Sequence, residues 1–139
     1  MKEQQLIINN FLNFRLRFSN RRIMIYGVEL NTKYIVEHIG NKKTIIGLID
    51  AQQAGKYLYG YRVYAVDEVV GVADVIVIVA RVAIIHMLYE RVKHLESHGI
   101  EIYNLDGNNL REHFTKQQTK YENNPYWEQS EVESLIRYE

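Results

Sequence analysis

Cysteine is absent from this chain of 139 residues, so disulfide bridges, thiolate-bound metals and cysteine nucleophiles are excluded. Net charge is also absent, since Lys+Arg and Asp+Glu both number 17. A nucleic-acid partner is therefore not expected, because binding to a phosphate backbone rests on a cationic surface. Long apolar runs are missing too: the longest, Val75–Ala80, falls far short of the roughly 20 residues that a membrane-spanning helix needs. The start, Met1-Lys2-Glu3-Gln4-Gln5, mixes charges and does not resemble a signal peptide, so a cytoplasmic location is the expectation. Serine does not occur between Ser19 and Ser97, and neither a Gly-x-Ser-x-Gly elbow nor an Asp-x-Asp pair is present. The inventory for nucleophilic catalysis is thin, and chemistry by this chain alone is not expected.

What is present falls into three zones. In residues 1–20, Ile7, Phe11, Phe14 and Phe18 recur at helical spacing, widened by Ile8, Leu12 and Leu16, and Ser19-Asn20 closes the pattern. So apolar a helix must pack on the domain that follows or on a second copy of the chain, and a homo-oligomer formed through it is one expectation. Residues 108–139 are polar, rich in Asn, Gln, Glu and Tyr, and carry the one proline and the one tryptophan. There Ser130-Glu131-Val132-Glu133 has the form of a capping box, with Val132, Leu135 and Ile136 starting an apolar face. This zone reads as a helical tail or linker leading into a further domain.

Residues 21–107 alternate strand and helix signals. Strands are expected at 22–26, 44–49, 62–64, 75–79 and 101–103, and helices at 31–40 and 83–98, with a short helical turn near 66–71. The run Val75-Ile76-Val77-Ile78-Val79 is β-branched and apolar on both faces, as a central parallel strand covered on each side must be. Ile84, Ile85, Leu88, Val92 and Leu95 form one helical stripe, and Gly99 stands where a C-terminal cap belongs. Right-handed crossovers then predict an α/β fold: a doubly wound, mostly parallel five-stranded sheet of order 3-2-1-4-5, with its crevice between the first and fourth strands.

The segment Ile25-Tyr26-Gly27 is followed in order by Ile46-Gly47-Leu48-Ile49-Asp50, Gly60-Tyr61-Arg62-Val63-Tyr64 and Asp74-Val75-Ile76-Val77-Ile78-Val79-Ala80. This succession resembles the small Rossmann-like domains of bacterial surface-polysaccharide enzymes, such as the N-terminal part of sugar O- and N-acyltransferases. Similar domains precede the phosphatase-like domains of the haloacid dehalogenase superfamily, and Asn123-Asn124-Pro125-Tyr126-Trp127 is similar to linkers that enter them. The resemblance implies a nucleotide- or sugar-nucleotide-binding-like module, itself non-catalytic, at the N-terminal end of a larger hydrolase or transferase. It also implies a small-molecule nucleotide as ligand. The alternative is a protein-interaction or dimerisation domain with a vestigial crevice, using the Ile7, Phe11, Phe14 and Phe18 face.

Candidate binding residues follow from the first strand-turn-helix. A dinucleotide fingerprint wants glycine at positions 27, 29 and 32, where this chain has Gly27, Glu29 and Thr32. Gly27, Val28 and Glu29 would still line a helix N-terminus able to receive a phosphate. The Glu29 carboxylate, however, would repel a pyrophosphate by about 1 kcal/mol at 4 Å even in water, so NAD is disfavoured. The bland reading of the turn makes Asn31 or Thr32 the helix cap. Asp50, closing the second strand, matches the acidic residue of the resembled domains and would bind a ribose hydroxyl; otherwise it is an ordinary turn residue. Arg81 follows the fourth strand directly, placed for an anionic group or simply solvated. Tyr57, Tyr59 and Tyr61 alternate, and an extended segment would present all three rings on one face. His86, Glu90, His94 and His98 recur every four residues, but helical geometry turns them away from the apolar stripe into solvent, against a metal site.

Overall fold

A computed structural model of the chain describes residues 2–39 and 44–122. Helix α1 (Lys2–Arg17) begins with Glu3 in its first turn and ends with Arg15 and Arg17, a charge order that complements the helix dipole. The spacing of Phe11, Phe14 and Phe18 lines one side with rings, and all three are buried. Strand β1 (Ile23–Tyr26), helix α2 (Leu30–Ile39), strand β2 (Ile45–Ile49) and the hairpin β3 (Tyr57–Leu58) and β4 (Tyr61–Tyr64) follow. After one 3-10 turn at Val66–Glu68 come β5 (Val75–Ile78), α3 (Val82–Val92), a 3-10 segment at Lys93–His98, β6 (Glu101–Asn104) and α4 (Leu110–Glu122).

The strands form one six-stranded sheet of order β3-β4-β2-β1-β5-β6, with β3 antiparallel to β4 and the other pairs parallel. The expected five-strand sheet is therefore corrected to six. The parallel strands lie in the expected order, and the added strand is the two-residue β3 at the edge. Its omission has a physical origin: Tyr57, Tyr59 and Tyr61 alternate like one extended segment, whereas the chain reverses at Tyr59 (φ 54°) and Gly60 (φ 85°). Two consecutive positive φ values build the turn that suits a right-twisted hairpin. The left-handed region costs a tyrosine roughly 1–2 kcal/mol, so no local propensity advertises it.

Alternation along the central strands divides the core. Ile23, Ile25, Val75 and Val77 face the side covered by Phe11, Phe14 and Phe18 of α1 and Ile35 and Val36 of α2. Met24, Tyr26, Ile76 and Ile78 face Tyr89 and Val92 of α3, Leu95 and Leu110. A local irregularity shifts the β1–β2 register, Ile23 pairing Ile45 while Met24 pairs Gly47, so Ile45 and Leu48 reach the same face. Gly47 accommodates Tyr64: a Cβ there would lie 2.5 Å from Tyr64 Cε1.

The α1 rings answer the question of what that helix packs on. Phe14 contacts Phe18 and Tyr103 at centroid distances of 4.8 and 5.7 Å, and Arg17 lies over Phe18 and Tyr103 at 4.9 and 5.2 Å. The Arg17 guanidinium also donates to the Gly107 carbonyl at 2.6 Å. The phenylalanine face is thus used inside the domain and is not available to a second copy. On the other face Asn109 caps α4, its Oδ1 accepting the Glu112 N–H at 3.2 Å, and Phe114 packs on His86 and Tyr89 at 4.8 and 5.3 Å. His86, expected in solvent, is therefore partly covered by α4. The helix expected over 83–98 tightens to 3-10 geometry after Val92, and Gly99 closes it in the left-handed conformation at φ 83°. The capping box at Ser130–Glu133, the face of Val132, Leu135 and Ile136, and the Pro125 segment lie outside the described residues. Among the described residues no helix is long and apolar enough to cross a membrane.

The beginnings of β1 and β5 are tied by charge. Arg22 Nε and Nη2 donate to Asp74 Oδ2 and Oδ1 at 3.3 and 3.2 Å, and the Arg22 N–H donates to Oδ2 at 2.8 Å. These bonds hold the Asp74 carboxyl below its usual range. A depressed folded-state pKa stabilises the fold above the unfolded value, about 3.9 for aspartate, and the contribution disappears as pH falls through the folded value. Asp74→Asn is expected to lower the urea midpoint at neutral pH and to flatten the acid limb, the two curves converging once pH falls through the folded-state value; curves that stay parallel down the whole acid limb would exclude this linkage. Phe14→Ala should cost about 3–5 kcal/mol in equilibrium unfolding, as expected for a core ring; an unchanged unfolding midpoint would contradict its burial.

Candidate functional site

The C-terminal ends of β2, β1 and β5 are adjacent, and Gly27 stands at their centre. Its N–H donates to Ile49 O at 3.2 Å, while the Val79 N–H donates to Tyr26 O at 3.1 Å. At φ 128° Gly27 adopts a conformation that side chains rarely take, and a Cβ there would approach Val79 O to 2.7 Å. The glycine is required because the end of β5 runs against the turn leaving β1. It lets two backbones touch, irrespective of any ligand.

Helix α2 opens directly from this turn. The first i→i−4 bond runs from Lys33 N–H to Glu29 O at 3.1 Å, so Glu29 takes the N-cap position. The reading of Asn31 or Thr32 as cap is corrected: they fall one turn too late, inside the helix. Glutamate is a poor cap for the first amides, though its charge suits the positive end of a helix. Among the described residues nothing accepts a hydrogen bond from the amides of Leu30, Asn31 or Thr32. Thr32 is fully buried, and its Oγ1 has no hydrogen-bond partner.

The other candidates surround this helix end. Asp50 follows β2, and its N–H donates to Tyr64 O at 3.1 Å. Its Oδ2 accepts the Gln53 N–H at 2.9 Å, the turn-building role that aspartate commonly has after a strand. Arg81 is exposed and caps α3 with extended backbone, φ −65° and ψ 145°, its side chain making no capping bond. Val28 is half-buried against the first-face core, and its carbonyl accepts the Tyr59 hydroxyl at 2.8 Å. Adjacency of the three strand ends therefore brings Gly27, Val28, Glu29, Asp50 and Arg81 to one end of the sheet.

The tyrosine trio does not form one ring face. Tyr57 is 74 % exposed, Tyr61 is buried in the core and Tyr59 turns back to the loop at Val28. The link from Tyr59 to the loop escaped sequence reasoning. Its one local signal is the glycine after Tyr59, between two segments rich in β-formers. The four-residue series on α3 also disperses: His86 Nε2 lies 3.6 Å from Glu90, whereas His94 Nε2 lies 4.0 Å from Asp67.

No family model matches the sequence, and no curated protein matches it significantly. The function therefore has to be argued from the site itself.

A concavity lies at the opposite end of the sheet from these residues, beside the start of β6. It is a cleft of about 180 Å³ lined by Glu96, Gly99, Ile100, Glu101, Asn109 and Arg111. Its acids are already engaged. Glu96 Oε1 accepts the Tyr89 hydroxyl at 2.8 Å, and burial together with that contact raises the Tyr89 pKa. Glu101 Oε2 is aligned with no hydrogen-bond donor but lies 3.0 Å from Arg21 Nη1, so we count the contact as an ion pair.

Gly27→Ala is expected to destabilise the domain by about 1–3 kcal/mol, since it forces both an unfavourable φ and a clash with backbone. Equilibrium denaturation measures it; a loss below about 0.5 kcal/mol would mean that the β1 turn and the β5 end are not in contact.

Proposed function

We propose that the chain is a Rossmann-like, doubly wound module that binds a small anionic ligand of the nucleotide or nucleotide-sugar class at the C-terminal ends of β1, β2 and β5. It performs no chemistry on that ligand itself and serves as one domain of a larger bacterial hydrolase or transferase. The observation that carries this reading is the N-terminus of α2, whose first amides have no hydrogen-bond partner among the described residues, at the end of the sheet where β2 and β5 also lead into Asp50 and Arg81. Free helix amides and a cation favour a phosphate, and a neighbouring carboxylate suits a sugar hydroxyl. Glu29 at the cap argues against any pyrophosphate, that of a dinucleotide included, and so favours the members of this class that carry a single phosphate.

A second reading, a protein-interaction or dimerisation domain with a vestigial crevice, draws on different residues from those first singled out. Phe11, Phe14 and Phe18 are buried, whereas Leu6 and Leu16 of α1 are 60 % and 69 % exposed.

Thermal shift with nucleoside phosphates, nucleotide-sugars and coenzyme A tests the first reading. A ligand at a hundred times its dissociation constant adds about 2.7 kcal/mol, and Glu29→Gly should enlarge the response to phosphorylated ligands. No shift with any of them would remove the binding function. Sedimentation of a Leu6→Glu, Leu16→Glu variant tests the second, which requires an assembly that these charges dissociate.

A further inference from the structure

The β3–β4 hairpin is a meagre element. Its first strand has two residues on the open edge of the sheet, Tyr57 points to solvent, and the β4–β2 ladder has two registered pairs, Leu48–Val63 and Ile49–Tyr64. Short edge hairpins contribute little stability of their own. Its reversal nevertheless uses a tyrosine at φ 54°, where asparagine or glycine would sit without strain. Two contacts favour tyrosine here. The ring is partly buried against Val28 and the first-face core, and the hydroxyl donates to Val28 O at 2.8 Å across 31 positions of sequence. Val28 is the residue between the Gly27 turn and the Glu29 cap. The same hairpin reaches Asp50 from its other end, through the bond from Asp50 N–H to Tyr64 O.

We infer that Tyr59 is a positioning residue for the proposed ligand site: the hairpin tip latches the β1–α2 loop by its hydroxyl and thereby sets the direction of the open α2 amides. The inference rests on the proposed binding function for its consequence, but the latch itself is a property of the free protein. With the hydroxyl in place, the Val28 carbonyl is fixed from outside the loop, and the Glu29 cap is presented in one orientation. Without it, the hydrogen bonds left to Val28–Glu29 are those at its two ends, Gly27 N–H to Ile49 O and Lys33 N–H to Glu29 O, beside the packing of the Val28 side chain. Because linkage is reciprocal, a ligand that orders the loop also tightens the hairpin.

Amide exchange followed by NMR on the whole chain tests this. Tyr59→Phe removes one oxygen and should accelerate exchange of the Gly27 and Lys33 amides about tenfold, the worth of one net hydrogen bond, while the central Ile76 and Val77 amides keep the wild-type rate. Unchanged Gly27 and Lys33 exchange overturns the latch. A uniform acceleration that includes Ile76 and Val77 overturns it as well, since the hydroxyl would then stabilise only the whole fold. Tyr59→Asn keeps a turn-compatible residue without the hydroxyl. It should free the same loop amides while Val63, whose N–H bonds to Lys56 O at 2.8 Å, remains protected. Loss of Val63 protection along with the loop would mean that Tyr59 merely builds the turn, and the latch is again overturned. Thermal shift with the nucleotide panel separates the two proposals. A silent wild type with an accelerated loop in Tyr59→Phe removes the ligand and leaves the latch. A responsive wild type whose ligand affinity and loop exchange are both unchanged by the mutation removes the latch and leaves the ligand.

Discussion

The contact between Gly27 and the Val79 carbonyl is the constraint on which the rest of this domain depends. Two backbones meet there with no room for a Cβ, at the point where β1 and β5 leave the centre of the sheet. α2 and α3 both begin after this point and leave from the same end of the sheet. α2 covers the face already lined by the α1 phenylalanines, and α3 covers the other. Because β1 and β5 are buried on both sides, neither strand has a polar face that would tolerate a one-residue slip. The Arg22–Asp74 pair and the Gly27–Val79 contact stand at the two ends of this central pair of strands.

The helix macrodipole then gives this end of the sheet its chemical character. α2 begins with three amides that have no partner among the described residues, because its N-cap position holds Glu29, whose carbonyl accepts from Lys33, rather than a short polar side chain that would reach them. The arrangement favours negative charge, and Glu29 itself supplies part of it. The neighbouring Asp50 is committed through one oxygen to the Gln53 amide. Arg81 and Glu29 are both exposed, and the Arg81 side chain makes no capping bond to α3.

Stability is distributed unevenly around this end of the sheet. The central strands are fully buried, while the hairpin at one edge rests on few pairings and on the hydroxyl of a tyrosine in a left-handed conformation. The β1–α2 loop is joined to this edge hairpin through a side chain remote in sequence.

The strand and helix pattern of the middle zone, the order of the parallel strands and the glycine at the first turn were legible in the sequence. Each follows from a local cause: the β-branched run at 75–79, the helical stripe ending at Gly99, and a turn too tight for a side chain. Three matters required the tertiary structure. Helical spacing makes Phe11, Phe14 and Phe18 an apolar face but cannot say whether it packs within the chain or on a second copy; their burial against β1, β5 and Tyr103 decides it. Alternation makes Tyr57, Tyr59 and Tyr61 look like one strand, whereas the reversal at Tyr59 is sustained by a carbonyl 31 residues away. And the glycine fingerprint concerns what a ligand needs, while Gly27 answers first to the Val79 backbone. Periodicity reports which surface a segment buries, because burial repeats with the geometry of its own backbone; what lies against that surface is a relation between distant segments, and only the folded chain determines it.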